Sequence, residues 1–147
     1  MPVENVTGSC YCKAIAYSIS DVESLPLDGI ICHCRTCQKI ATMGSYNVTL
    51  NREQLKITKG ELASYEDNSA DSGKTITRMF CKTCGSGIYS RPDSIPDKLF
   101  LKAGTLDDMS QVRPNAEIYV ERAIKGMPGS SEEIKCTLFE GMMKNKL

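Results

Sequence analysis

The sequence predicts a mainly-β fold with short helices only. Three observations carry that expectation. Short β-branched segments alternate apolar and polar residues, the period-two pattern of strands with one buried face. Turn-forming residues separate those segments at short intervals. Only two stretches suit a helix, and both are brief.

Taken in order, residues 13–19 place Ile15, Tyr17 and Ile19 two apart and read as the first strand. Residues 45–50 alternate likewise, and 55–58 continue the pattern up to Gly60. A strand over 74–80 leads into Cys81. Another over 87–90 follows Cys84 and stops at Pro92, which has no amide hydrogen to donate. Strands over 98–102 and 117–121 complete the set. One short helix is expected over 36–41. A second is expected near 51–54, with Asn51 as its N-cap. Residues 68–73 read as a polar hairpin tip and 125–131 as a loop. No linker, repeat or low-complexity tract interrupts the 147 residues, so one domain spanning 1–147 is expected.

A chain of this length can bury about two-thirds of its unfolded surface. Metal is therefore not needed merely to replace a missing core. Lys plus Arg is 18 and Asp plus Glu is 18, and no basic run occurs, which argues against a nucleic-acid partner or an anionic membrane surface. No apolar run reaches transmembrane length. The first residues show neither a basic start nor an apolar stretch, so a reducing, cytoplasmic setting is expected. The sequons at Asn5 and Asn47 then carry no meaning. In such a setting eight cysteines read as metal ligands or catalytic groups rather than disulfides. Oligomeric state is not written in the sequence.

Seven of those cysteines form three groups. Cys10 and Cys12 flank Tyr11, and strand alternation would point both thiols to one side. Cys81 and Cys84 are followed by Gly85, whose freedom at positive φ closes a zinc knuckle. Together these pairs offer four sulfurs, enough for one closed structural zinc site. Cys32, Cys34 and Cys37 offer three, with Cys37 one helical turn beyond Cys34. Three protein ligands plus an exchangeable position is the pattern of a catalytic zinc. The alternative is a second structural zinc closed by His33, Cys136 or an aspartate. Alternation puts His33 on the opposite face, and Cys136 equally suits a small buried hydrophobe.

These groups sit in motifs that resemble the glutathione-dependent formaldehyde-activating enzyme family, which includes the centromere protein V group. The resemblance rests on Gly8-Ser9-Cys10-Tyr11-Cys12-Lys13-Ala14-Ile15, on Cys32-His33-Cys34-Arg35-Thr36-Cys37-Gln38-Lys39, and on Arg78-Met79-Phe80-Cys81-Lys82-Thr83-Cys84-Gly85-Ser86. Gly104-Thr105-Leu106-Asp107-Asp108 and Arg113-Pro114 through Glu117-Ile118 match the family's C-terminal signature. It covers about residues 8–120. It implies several coiled antiparallel β-sheets around two zinc ions, one structural on Cys10, Cys12, Cys81 and Cys84, the other catalytic on Cys32, Cys34 and Cys37. It further implies a carbon–sulfur lyase that joins glutathione, its co-substrate, to formaldehyde as S-hydroxymethylglutathione, or handles a related thiol adduct.

On that reading a small-molecule thiol is the expected partner. Arg35, Lys39 and Arg78 are candidates to pair with glutathione's carboxylates, and Tyr46 and His33 are candidates for proton transfer. Each has a plainer reading as a solvated, core or hydrogen-bonded residue. Two rival functions remain, a non-catalytic zinc module for protein–protein interaction and a redox thiol or zinc buffer. The three-ligand motif weighs against the first, since a purely structural site would more simply be closed.

Overall fold

The structure, a computed structural model, describes residues 5–127 and the short strands Phe139–Glu140 and Asn145–Lys146. The strands in chain order are β1 (Val6–Ser9), β2 (Ala16–Ile19), β3 (Leu27–Cys32), β4 (Ser45–Asn51), β5 (Leu55–Lys59), β6 (Ala63–Asp67), β7 (Ile76–Phe80), β8 (Gly87–Pro92), β9 (Lys98–Lys102) and β10 (Val112–Ile118), then β11 (Phe139–Glu140) and β12 (Asn145–Lys146). A single α-helix, α1 (Arg35–Ala41), lies between β3 and β4 among the described residues, and the other helical turns there are 3-10 turns. The fold is mainly β, as expected. No helix among the described residues is long and apolar enough to cross a membrane.

A three-stranded sheet runs β1-β2-β5 and a seven-stranded sheet runs β10-β3-β4-β9-β8-β7-β6. The pairs β1–β2, β2–β5, β4–β9 and β6 through β9 are antiparallel. Register sets Val48 opposite Leu101 and Leu50 opposite Leu99, all four buried. Each such side chain contributes roughly 1.5–3 kcal/mol of burial. Ile88, Tyr17, Ile15 and Val6 join the same core. Tyr17 explains Gly8: a Cβ on Gly8 would lie 2.1 Å from the Tyr17 hydroxyl oxygen, which sits 2.8 Å from Thr105 Oγ1. Gly8 bridges Leu106, and Thr7 donates to Asp107, so the opening strand is tied to residues 105–107.

Several boundaries differ from expectation for physical reasons. The strand expected over 13–19 is β2, which starts at Ala16, and β1 (Val6–Ser9) ahead of it was not expected. Residues 10–13 form a turn closed by Lys13 N donating to Cys10 O, with Lys13 at φ +63°. The strand expected over 117–121 is instead Val112–Ile118. It ends where Tyr119 enters the left-handed region at φ +56° and a 3-10 turn follows at Val120–Arg122. β3 is interrupted in pattern by Asp28-Gly29, and β6 is an exposed edge strand rich in polar residues, so neither alternates visibly. The helix near 51–54 is a 3-10 turn, Arg52–Gln54, with Asn51 at its N-cap and Gln54 Oε1 accepting from Asn51 N. Of the loop expected over 125–131, residues past Met127 lie outside the described residues, as does Cys136.

The chain forms two compact units, Met1–Ile31 with Tyr46–Ala116, and Cys32–Ser45 with Glu117–Leu147. Each contains one cysteine cluster.

Candidate metal centres

In the first unit the turn at residues 10–13 brings Cys10 and Cys12 together. Cys10 exchanges backbone hydrogen bonds with Ile15 and Lys13, and Ile15 N also donates to Cys10 Sγ at 3.3 Å. Tyr11 points away and is 91% exposed. The thiols thus converge through a turn rather than through strand alternation. The opposing pair lies on a knuckle: Cys81 N donates to Ser86 O, Gly85 N to Cys81 O, and Gly85 takes φ +78°. Nothing would obstruct a Cβ at Gly85, so its glycine is needed for backbone conformation alone.

Cys10 Sγ lies 3.6 Å from Cys12 Sγ, which lies 3.8 Å from Cys81 Sγ, and all four sulfurs fall within 4.8 Å of one another. Four sulfurs held about 2.3 Å from one tetrahedral ion lie about 3.8 Å apart. The cluster therefore has the dimensions of a closed four-sulfur metal site. Ser86 links its halves, accepting from Tyr11 N at 3.2 Å and contacting Cys84 Sγ at 3.1 Å. Hydrogen bonds from the Ser86 side chain and backbone hold the Cys84 thiol down to about 5. At Cys12 a backbone hydrogen bond from Ala14 pulls downward, but burial and its sulfur neighbours push the thiol up to about 11. The seven described cysteines form no disulfide.

In the second unit Cys32 ends β3, Cys34 caps α1 and Cys37 lies within it. Cys34 Sγ accepts from Cys37 N at 3.4 Å, so the helix start itself sets their spacing. The three sulfurs lie within 4.8 Å of one another, and no His, Asp or Glu among the described residues joins them. Hydrogen bonding with Cys37, then burial, pushes the Cys32 thiol up. This trio also fits a metal ion, with three ligands rather than four among the described residues.

His33 is turned to other work. Its Nε2 lies 2.8 Å from Glu117 Oε1, its backbone N donates to Ile118 O, and its carbonyl accepts from Gln38 Nε2. Gln38, buried, also donates to Arg122 O at 2.6 Å. The ligand motif is thereby clamped to residues 117–122. Ser45 Oγ donates to Cys37 Sγ at 3.0 Å.

Arg35 and Lys39 are both exposed on α1, one turn apart, and Arg35 Nη1 donates to Gln38 Oε1. Arg78 is engaged elsewhere: its Nε and Nη2 donate to Asp67 Oδ2 at 2.9 and 2.6 Å, and Nη1 reaches Ser90. An incoming carboxylate would have to compete with Asp67 for it. Tyr46 packs over Gly29, where a Cβ would lie 2.3 Å from its ring. Its hydroxyl is buried with no hydrogen-bond partner among the described residues, and burial pushes its pKa up. Ser45, Ser86, Glu117 and Gln38 carry polar contacts at the two centres that spacing alone did not reveal. Ser86 and Gln38 stand within the cysteine motifs, but only the folded chain brings Ser45 to Cys37 and Glu117 to His33.

A family model described as glutathione-dependent formaldehyde-activating enzyme matches residues 5–122. A crystal structure of a protein from Rhodobacter sphaeroides superposes with a TM-score of 0.54 at 22% identity, covering 69% of this chain and 87% of that one. That likeness concerns the fold. No curated protein sequence matches.

Proposed function

The chain belongs to the glutathione-dependent formaldehyde-activating enzyme family, and from that premise we propose that it is a zinc-dependent carbon–sulfur lyase. It joins glutathione or a similar thiol to formaldehyde or a related electrophile, or cleaves such an adduct. The observation that carries this is the unequal ligand count among the described residues: four sulfurs in one centre and three in the other. Cys10, Cys12, Cys81 and Cys84 would hold a structural zinc. Cys32, Cys34 and Cys37 would hold a catalytic one. A zinc ion on those three sulfurs supplies an open ligand position and lowers the pKa of a thiol that takes it.

The residues of this chain then bind and orient. Arg35 and Lys39, exposed one helical turn apart, suit two carboxylates of a thiol tripeptide. The substrate thiolate attacks the aldehyde carbon, a C–S bond forms, and the carbonyl electron pair moves to oxygen. That oxygen takes up one proton, matching the one the thiol gave up, so the thiohemiacetal balances. Tyr46, whose hydroxyl has no hydrogen-bond partner among the described residues, is the candidate proton donor. His33 is held by Glu117 and serves as a brace for the ligand loop.

Cobalt substitution tests the reading. Two metals per chain are expected, with a sulfur-to-cobalt band that changes on adding glutathione in wild type and in Cys136→Ala but not in Cys37→Ser. Cys37→Ser should keep its thermal transition. Two saturated sites that ignore glutathione, or a cobalt sulfur lost in Cys136→Ala, would make this a closed structural module instead.

A further inference from the structure

The chain between α1 and β4 folds back onto Cys32. Gly44 has φ +150°, and a Cβ there would lie 2.7 Å from the Cys32 carbonyl oxygen, so a larger residue would push the two segments apart. This close approach delivers Ser45, the first residue of β4, to the sulfur trio. Ser45 is 7% exposed and its hydroxyl donates to Cys37 Sγ at 3.0 Å.

We propose that Ser45 is a positioning residue of the three-sulfur centre, whose hydrogen bond fixes Cys37 and draws charge from its sulfur so that a thiolate is accepted as fourth ligand. The proposal rests on the reading of this centre as the thiol site. Its physical basis is charge. Three thiolates on a divalent ion already leave one net negative charge, and a fourth raises that to two. Each added anion is opposed by those present. A hydrogen bond donated to a ligand sulfur offsets part of that repulsion and holds the side chain in its ligating rotamer. Cys34 receives its hydrogen bond from the amide of Cys37, as any helix cap would. The Ser45 contact is different in kind. A strand start does not require a hydroxyl.

The test uses the full chain, comparing wild type, Ser45→Ala and Ser45→Thr. Chelator competition reads cobalt affinity at the three-sulfur centre, and glutathione titration of the sulfur-to-cobalt band reads the fourth ligand. Ser45→Ala should weaken metal binding there by ~10–100-fold, and glutathione binding at saturating cobalt by about tenfold. The thermal midpoint and the four-sulfur band should stay as in wild type, and Ser45→Thr should recover most of both affinities. A glutathione-responsive wild type with Ser45→Ala matching it in both affinities, or Ser45→Thr failing to recover, overturns the role of Ser45 alone. A wild type that ignores glutathione overturns the thiol site and this proposal together.

Discussion

The two cysteine centres differ in how far along the chain they reach. The four-sulfur centre joins Cys10 and Cys12 to a knuckle about 70 residues later, with Cys12 Sγ 3.8 Å from Cys81 Sγ across a separation of 69. The three-sulfur centre lies within six residues, a strand end and one helical turn. A metal in the first closes a long loop, whose closure entropy is otherwise unrewarded. A metal in the second closes almost none. Ser86 also ties the two halves of the four-sulfur centre together, accepting from Tyr11 N and contacting Cys84 Sγ. One centre is built into the fold, and the other is carried by it.

The largest way to break that contrast is Cys84→Ser. Losing the long-range staple should cost on the order of 10 kcal/mol of folding free energy, seen as loss of a cooperative thermal transition. Cys84→Ser and Cys37→Ser variants with the same melting behaviour would erase the distinction between the centres.

A smaller effect sharpens it. Gly44→Ala should introduce about 1–3 kcal/mol of local strain beside Cys32 and alter the cobalt spectrum of the three-sulfur centre. The four-sulfur spectrum should not change. If both bands shift, the effect of Gly44 is not local to the three-sulfur centre.

The smallest is a pH effect confined to the first unit. Hydrogen bonds from the Ser69 hydroxyl and amide, with Arg78 added, hold the Asp67 carboxyl at about 2, below its ordinary 3.8. The folded chain therefore binds this proton less readily than the unfolded one. The stabilisation is complete above pH 3.8 and is lost as pH falls toward 2. Asp67→Asn should melt below wild type at neutral pH by about 1–3 kcal/mol, since Arg78 loses its partner. That gap should narrow on acidification below pH 4, read as the difference in thermal midpoint between the two proteins. A gap that stays constant down to pH 2 would remove the ion pair from the account.

Much of the site was legible before folding because ligand spacing is local. Cys81, Cys84 and Gly85 specify a knuckle wherever they occur, and the cap at Cys34 sets Cys37 one turn away. The strand ends were less legible. Lys13 and Tyr119 break their strands by adopting left-handed backbone, which neither residue type advertises. The polar edge strand β6 shows no alternation because most of its residues face solvent.

The sequence by itself determined three local cysteine groups, Cys10 with Cys12, Cys32 with Cys34 and Cys37, and Cys81 with Cys84, whereas the meeting of Cys12 with Cys81, 69 residues apart, came from the folded chain. Tertiary structure alone decided what surrounds those sulfurs. Ser45 meets Cys37, Glu117 meets His33 and Asp67 takes Arg78 from the pool of free cations. The reason is range: metal-ligand spacing acts over two or three residues, whereas a hydrogen-bond partner 8, 84 or 11 residues away is chosen only when the backbone has closed.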